Sequence, residues 1–173
     1  MTEVILVNES DEQIGTMEKM EAHQKALLHR AFSVFIFNEN GEMLLQKRAA
    51  NKYHSPMLWT NACCSHPMPG ENTEAAAHRR LKEELGFDTA LAYAFHFIYQ
   101  TPFDNGLTEH ELDHVFIGSY AGDIFPNAEE VASYGFFSTG HIEAELVSNA
   151  EQYTVWFRIA FPELMKQLPQ SIT

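Results

Sequence analysis

The chain has 173 residues, 45% of them hydrophobic and 12% aromatic, which is ample for a buried core and excludes a disordered tail or a disulfide-stapled mini-protein. Eleven Lys and Arg against 24 Asp and Glu leave a net charge of −13, so nucleic acid and anionic membranes are poor partners. No run of about 18 apolar residues marks a membrane span, Glu3, Glu9, Asp11 and Glu12 break any signal-peptide core, and the adjacent Cys63 and Cys64 are poorly placed to bridge each other. One domain over residues 1–173 in a reducing compartment, the cytoplasm, is expected.

In chain order, Val4–Val7 reads as a short edge strand and Asn8–Gly15 as a polar turn. Glu18–Leu28 suits a helical turn or a loop. Ala31–Phe37 is β-branched and aromatic at successive positions, the pattern of a strand buried on both faces. Asn38–Gly41 is a hairpin turn from which Met43–Gln46 pairs back. Asn51–Pro56 is a polar loop, and Trp59–Ser65 is extended. Thr73 is a cap for a helix through Ala75–Leu85, with Gly86 as its stop. Phe87–Gln100 and Leu112–Tyr120 are strand-like around a polar turn at Asp104–Gly106. Ser138–Leu146 suits a helix capped by Ser138 or Thr139. Thr154–Leu168 suits another, which Pro162 should kink or split. With no βαβ rhythm, the elements predict a mixed sheet with helices on both faces.

The segment from Glu71 to Phe87 holds Glu71, Arg79 and Glu83-Glu84-Leu85-Gly86-Phe87. It resembles the Nudix signature, a loop–helix–loop whose carboxylates hold a divalent cation against a diphosphate. Positions 80 and 84 share a helix face at i,i+4. Ser65 stands where that signature begins with Gly, and Arg80 where its catalytic Arg-Glu pair has Glu. An arginine cannot ligate a metal, so the resemblance implies the scaffold without the usual hydrolase site.

A longer ordered set of matches runs from about 15 to 156. It comprises Gly15-Thr-Met-Glu-Lys19, His23, His29, Arg48, Lys52, Trp59-Thr-Asn61, Cys64-Ser-His66-Pro67, Arg79-Arg80, Tyr99, Glu109-His-Glu111 and Trp156. In this order the pieces resemble the type I isopentenyl-diphosphate isomerases, with Cys63 as an extra thiol and a His23–His29 spacing one residue shorter than usual. The resemblance implies an α/β (α+β) fold, a Nudix-like mixed β-sheet sandwiched between α-helices. It implies a metal site of His23, His29, His66, Glu109 and Glu111, and a second cation, Mg²⁺, held by Glu84 against the substrate diphosphate. Three imidazoles and two carboxylates suit Mn²⁺ or Zn²⁺ better than Mg²⁺. If extended, Glu109 and Glu111 face the same side, and Cys63 faces away from Cys64.

Lys19, Arg48, Lys52, Ser65 and Arg80 are the expected contacts of the diphosphate, since an acidic protein needs local cations to hold an anionic head group. The reaction implied moves a double bond between isopentenyl and dimethylallyl diphosphate. Cys64 and Glu111 are the expected proton-transfer pair, Tyr99 a relay, and Trp156 the stabiliser of a transient carbocation. The partner is a small isoprenoid diphosphate; the sequence is silent on oligomeric state. Two other readings compete: a Nudix diphosphate hydrolase using Glu83 and Glu84, and a non-catalytic protein that binds an isoprenoid diphosphate. Arg80 and Ser65 weaken the first, and neither explains the histidines and Cys64 together.

Overall fold

The computed structural model describes residues 1–168. In chain order the strands are β1 (Glu3–Val7), β2 (Gln13–Glu18), β3 (His29–Phe37), β4 (Met43–Arg48), β5 (Trp59–Thr60), β6 (Cys63–Ser65), β7 (Leu91–Pro102), β8 (Thr108–Ser119) and β9 (Val131–Phe137). The helices are α1 (Lys19–Gln24), α2 (Thr73–Leu85), α3 (Thr139–Ser148) and α4 (Val155–Gln167). Among the described residues, none is long and apolar enough to cross a membrane.

β3 organises the sheet. One edge pairs in parallel with β8 along its whole length, from His29↔Glu111 to Phe37↔Ser119. The other edge is shared: β1 meets it at His29, β6 at Phe32–Val34, and β4 only at Phe37. Every residue of β3 except Arg30 is buried, as its β-branched and aromatic pattern predicts. Its alternate side chains feed two cores. Phe32, Val34 and Ile36 pack with Ala76, Ala77, Leu81 and Leu85 of α2. Phe35 and Phe37 pack with Ile142 of α3 and with Phe157, Ala160, Phe161 and Leu164 of α4. The sheet is therefore mixed and covered by helices on both faces, as the sequence predicts.

Four local expectations are corrected. β1 is an inner strand, because the polar and exposed β2 folds back onto its free edge through a turn in which the Asn8 side chain accepts from Ser10 and Glu12 N–H. β4 leaves β3 after one pair and runs instead against β9 and β5. The cap of α2 is Asn72, whose Oδ1 accepts from Glu74 and Ala75 N–H at 3.0 and 3.2 Å; Thr73 is the first helical residue. α4 runs unbroken through Pro162, since Pro162 and Arg158, whose carbonyl loses its partner, lie on the exposed side where water can take the bond.

Candidate active site

The face of the sheet beneath α4 turns polar toward one end. Along β8 the inward positions run Val115, Asp113, Glu111, Glu109, and along β3 they run Phe35, Ser33, Ala31, His29. The change happens within continuous strands, so rigid backbone holds the carboxylates and His29 in register. α1 adds Lys19 and His23, β4 ends on Arg48, β6 supplies Cys64 and Ser65 with His66 following, and the first turn of α4 covers the end with Trp156. Cys64 pairs with Ser33 across β3–β6. Its neighbour Cys63 lies on the opposite face, buried in the α2 core.

His23, His29, His66 and Glu111 each offer a ligand atom within 4.8 Å of the others. The His23 and His29 Nδ1 atoms lie 2.7 and 2.8 Å from the Lys19 and Leu27 carbonyls. Each Nδ1 therefore carries a proton and donates it, which leaves the Nε2 lone pair free. Both Nε2 atoms are buried without a hydrogen-bond partner. Glu111 Oε1 sits 2.9 Å from His66 Nε2 and 3.5 Å from His29 Nε2. Orphaned imidazole lone pairs around one carboxylate are a donor set that fits a divalent cation. Burial depresses His23 to about 4 and His66 to about 3, so both stay neutral and able to ligate. At His29 burial acts the same way, but the contact with Glu111 outweighs it and raises the value.

Glu109 belongs to an adjoining group with His23 and His54. Its Oε1 is 2.6 Å from His54 Nε2. The Tyr99 hydroxyl bridges the two carboxylates, 2.7 Å from Glu109 Oε2 and 2.8 Å from Glu111 Oε2. One hydroxyl proton cannot serve both oxygens, and a proton kept on Glu109 completes the arrangement. The electrostatics agree. Burial and the Glu111 charge hold Glu109 well above the usual carboxylate range. Burial pushes Glu111 up as well, but the close approach of the His29 and His66 imidazoles overrides it and holds Glu111 well below that range. Asp113 is also held high by burial and by Glu111, and accepts from Ser33 Oγ at 2.8 Å. The Cys64 thiol is pushed up to about 12 by burial, against the pull of Arg48.

Lys19, Arg48, Lys52 and Arg80 line the same cavity, as do Ser65 and Cys64. The Arg48 guanidinium lies 5.3 Å from the Trp156 ring, and Lys19 Nζ lies 4.4 Å from the Tyr53 ring. Lys52 pairs with Glu130. Arg80 donates to Glu83 and Glu84 at 2.7 Å each. Glu84 is buried and stands apart from both His/Glu groups, its second oxygen accepting from Gln46 at 2.9 Å. Apart from Glu84, the cavity thus gathers the expected site residues except His23 and His29, whose rings stand against His66, and Tyr99, which reaches it only through Glu109 and Glu111. Sequence reasoning missed Tyr53, His54, Asp113 and Glu130. Asp113 carried a signal, since it continues the alternation of Glu109 and Glu111. His54 and Glu130 carried none, being single polar residues in loops that only the fold brings to the site.

A family model described as NUDIX domain matches residues 27–157. The isopentenyl-diphosphate Delta-isomerase of Pectobacterium atrosepticum is 50% identical over 166 residues, 95% of this chain and 92% of its own. That of Aliivibrio fischeri strain MJ11 is 47% identical over 180 residues, 99% of each chain. Among solved structures, a Deinococcus radiodurans protein superposes with a TM-score of 0.70 at 19% identity, over 85% of this chain and 90% of its own. A MutT protein from Methanosarcina mazei does so with 0.68 at 20%, over 81% and 94%. These structures share the fold. Near-full-length identity of this level, on a NUDIX scaffold whose helix α2 carries Arg80, places the chain in the NUDIX family and, within it, among the isopentenyl-diphosphate Delta-isomerases.

Proposed function

We propose that this enzyme interconverts isopentenyl and dimethylallyl diphosphate by adding a proton to one end of the alkene and removing one from the far side of the resulting tertiary cation. The observation that carries this reading is the gathering, in the lining of one cavity, of the Cys64 thiol, the Glu111 carboxylate, the Trp156 indole and four cationic side chains. An allylic C–H is too weak an acid for any side-chain base. Protonation of the alkene first makes the adjacent C–H acidic enough for a carboxylate or thiolate to take.

Cys64 and Glu111 exchange roles with the direction of the reaction. Cys64 rests as the thiol, and Glu111 is ionised and connected through the Tyr99 hydroxyl to the proton on Glu109. The Tyr99 bridge lets a proton move between the carboxylates without exposure to water. Trp156 presents an indole face, worth about 2 kcal/mol or more to a desolvated cation, and no nucleophile to trap it. Lys19, Arg48, Lys52, Arg80 and Ser65 anchor the diphosphate. Arg48 approaches the ring from the cationic side of the cavity, so a bound diphosphate would neutralise a charge that otherwise opposes the carbocation.

His23, His29, His66 and Glu111, joined by Glu109, would hold Mn²⁺ or Zn²⁺, and Glu84 would hold Mg²⁺ with the diphosphate. Such an ion supplies a fixed positive charge that acidifies the carboxyl it holds. Incubation with isopentenyl diphosphate, Mn²⁺ and Mg²⁺ tests the reading. Dimethylallyl diphosphate without released phosphate is expected. Phosphate alone would instead support a hydrolase, and no product at all a binding protein.

A further inference from the structure

Four cations line the cavity, and two of them are tied to one carboxylate that the mechanism does not use. Glu130 sits at the foot of β9. It pairs with Lys52 from the loop after β4, and its Oε1 lies 3.4 Å from Arg80 Nη2 on α2. Its backbone fixes it there: its carbonyl accepts from Ala49 N–H at 3.1 Å, and its N–H donates to the Asn127 carbonyl at 3.0 Å. The segment is in turn tied to α2, since Asn127 N–H donates to the Glu84 carbonyl at 2.8 Å. Glu130 is partly exposed, with a side chain 23% accessible, whereas Glu84 is buried. Of the carboxylates on Arg80, Glu83 and Glu84 belong to the same helix as the arginine. Among the described residues, Glu130 alone joins Arg80 to a cation from another part of the chain.

We propose that Glu130 is a built-in counter-ion that stands in for the substrate diphosphate, holding Lys52 and Arg80 together in the free enzyme and yielding them when a multiply charged head group arrives. This rests on the reading of Lys52 and Arg80 as diphosphate contacts. Two like charges on flexible side chains repel and would splay apart into solvent. A carboxylate between them keeps both at the cavity mouth, so less ordering remains for the substrate to impose. The same carboxylate opposes binding, because the incoming anion must displace it or lie beside it. Glu130 is thus a positioning residue that sets how tightly the head group is held and takes no part in the chemistry.

The test compares Glu130→Gln, Lys52→Gln and Arg80→Gln with the parent enzyme, in its metal-loaded form. Three readouts are needed: KM and kcat for isopentenyl diphosphate, the inhibition constant of inorganic pyrophosphate, and the rise in Tm that saturating pyrophosphate produces. In Glu130→Gln, KM and the pyrophosphate constant should both fall about three- to tenfold, as expected for loss of one nearby like charge. The kcat should not rise, and the ligand-free Tm should drop while the pyrophosphate-induced increment grows. Lys52→Gln and Arg80→Gln should weaken pyrophosphate. If those two leave its constant unchanged, the assignment of the diphosphate contacts fails, and Glu130's role with it. If they weaken binding but Glu130→Gln leaves it unchanged or weakens it too, the contacts stand and the counter-ion role is overturned.

Discussion

At Cys64 the surroundings decide what a thiol can do. Burial pushes it up to about 12 and holds Cys63 well above the ordinary range, so both rest protonated at neutral pH. Alkylation needs the thiolate. Iodoacetamide should therefore label the native protein slowly at pH 8 and rapidly only after unfolding; rapid native labelling of Cys64 would show that its proton is not held. The linked stability has a definite sign. A folded-state value above the unfolded one, about 8.5, gives stability that is complete below pH 8.5 and is lost as pH rises toward the folded value. Chemical denaturation between pH 8 and 10 should show this loss, and Cys63→Ala should reduce it. Cys64→Ala should abolish isomerisation, by at least about 10³-fold for loss of a general acid–base group, while pyrophosphate inhibition stays near parental. Turnover that survives in Cys64→Ala and disappears in Cys63→Ala would exchange the two thiols' roles.

At the scale of elements, α2 shows how local chemistry fixes a helix. It starts on the Asn72 side chain and stops at Gly86 in the left-handed conformation, φ 72°. A Cβ on Gly86 would stand 2.7 Å from the Phe125 carbonyl oxygen, and that backbone in turn donates from Phe125 N to the Leu85 carbonyl at 2.9 Å. Strained backbone and overpacking act together, so Gly86→Ala should destabilise by about 2–4 kcal/mol, read as a lower midpoint in urea. A change within about 0.5 kcal/mol would mean the 123–127 segment can move away freely. The same elements show what the sequence reveals. β3 and α2 are legible because a β-branched, aromatic stretch and a run of good helix formers ended by Gly86 admit one interpretation each. The inner position of β1 is not legible, because β2 is a polar exposed strand with no apolar alternation, and its pairing is set by the turn at Asn8. Nor does Pro162 break α4, because breaking depends on whether the orphaned carbonyl at Arg158 reaches water. In the site, the residues that the sequence nominates are those carried on ordered motifs. His54 and Glu130, contributed by loops, depend on how β4, β9 and α4 come together.

Over the whole molecule, an acidic chain concentrates four of its eleven Lys and Arg at one cavity. Attraction to an anionic substrate is therefore local, and added salt should raise KM with little effect on kcat. The polar end of the sheet is held against an apolar one by the same strands, and its orphaned imidazoles add burial cost that a bound cation would offset. Removal of metal by chelation should lower Tm, and a divalent ion should restore both Tm and turnover. Chelation without effect on either would detach the His/Glu group from stability and activity together. The central claim is that a proton from exchangeable groups is delivered to carbon. It is tested by running the reaction in D₂O with isopentenyl diphosphate and examining the product by mass and NMR. The account predicts deuterium in a methyl group of dimethylallyl diphosphate, whereas isomer formed with no solvent deuterium at all would contradict it.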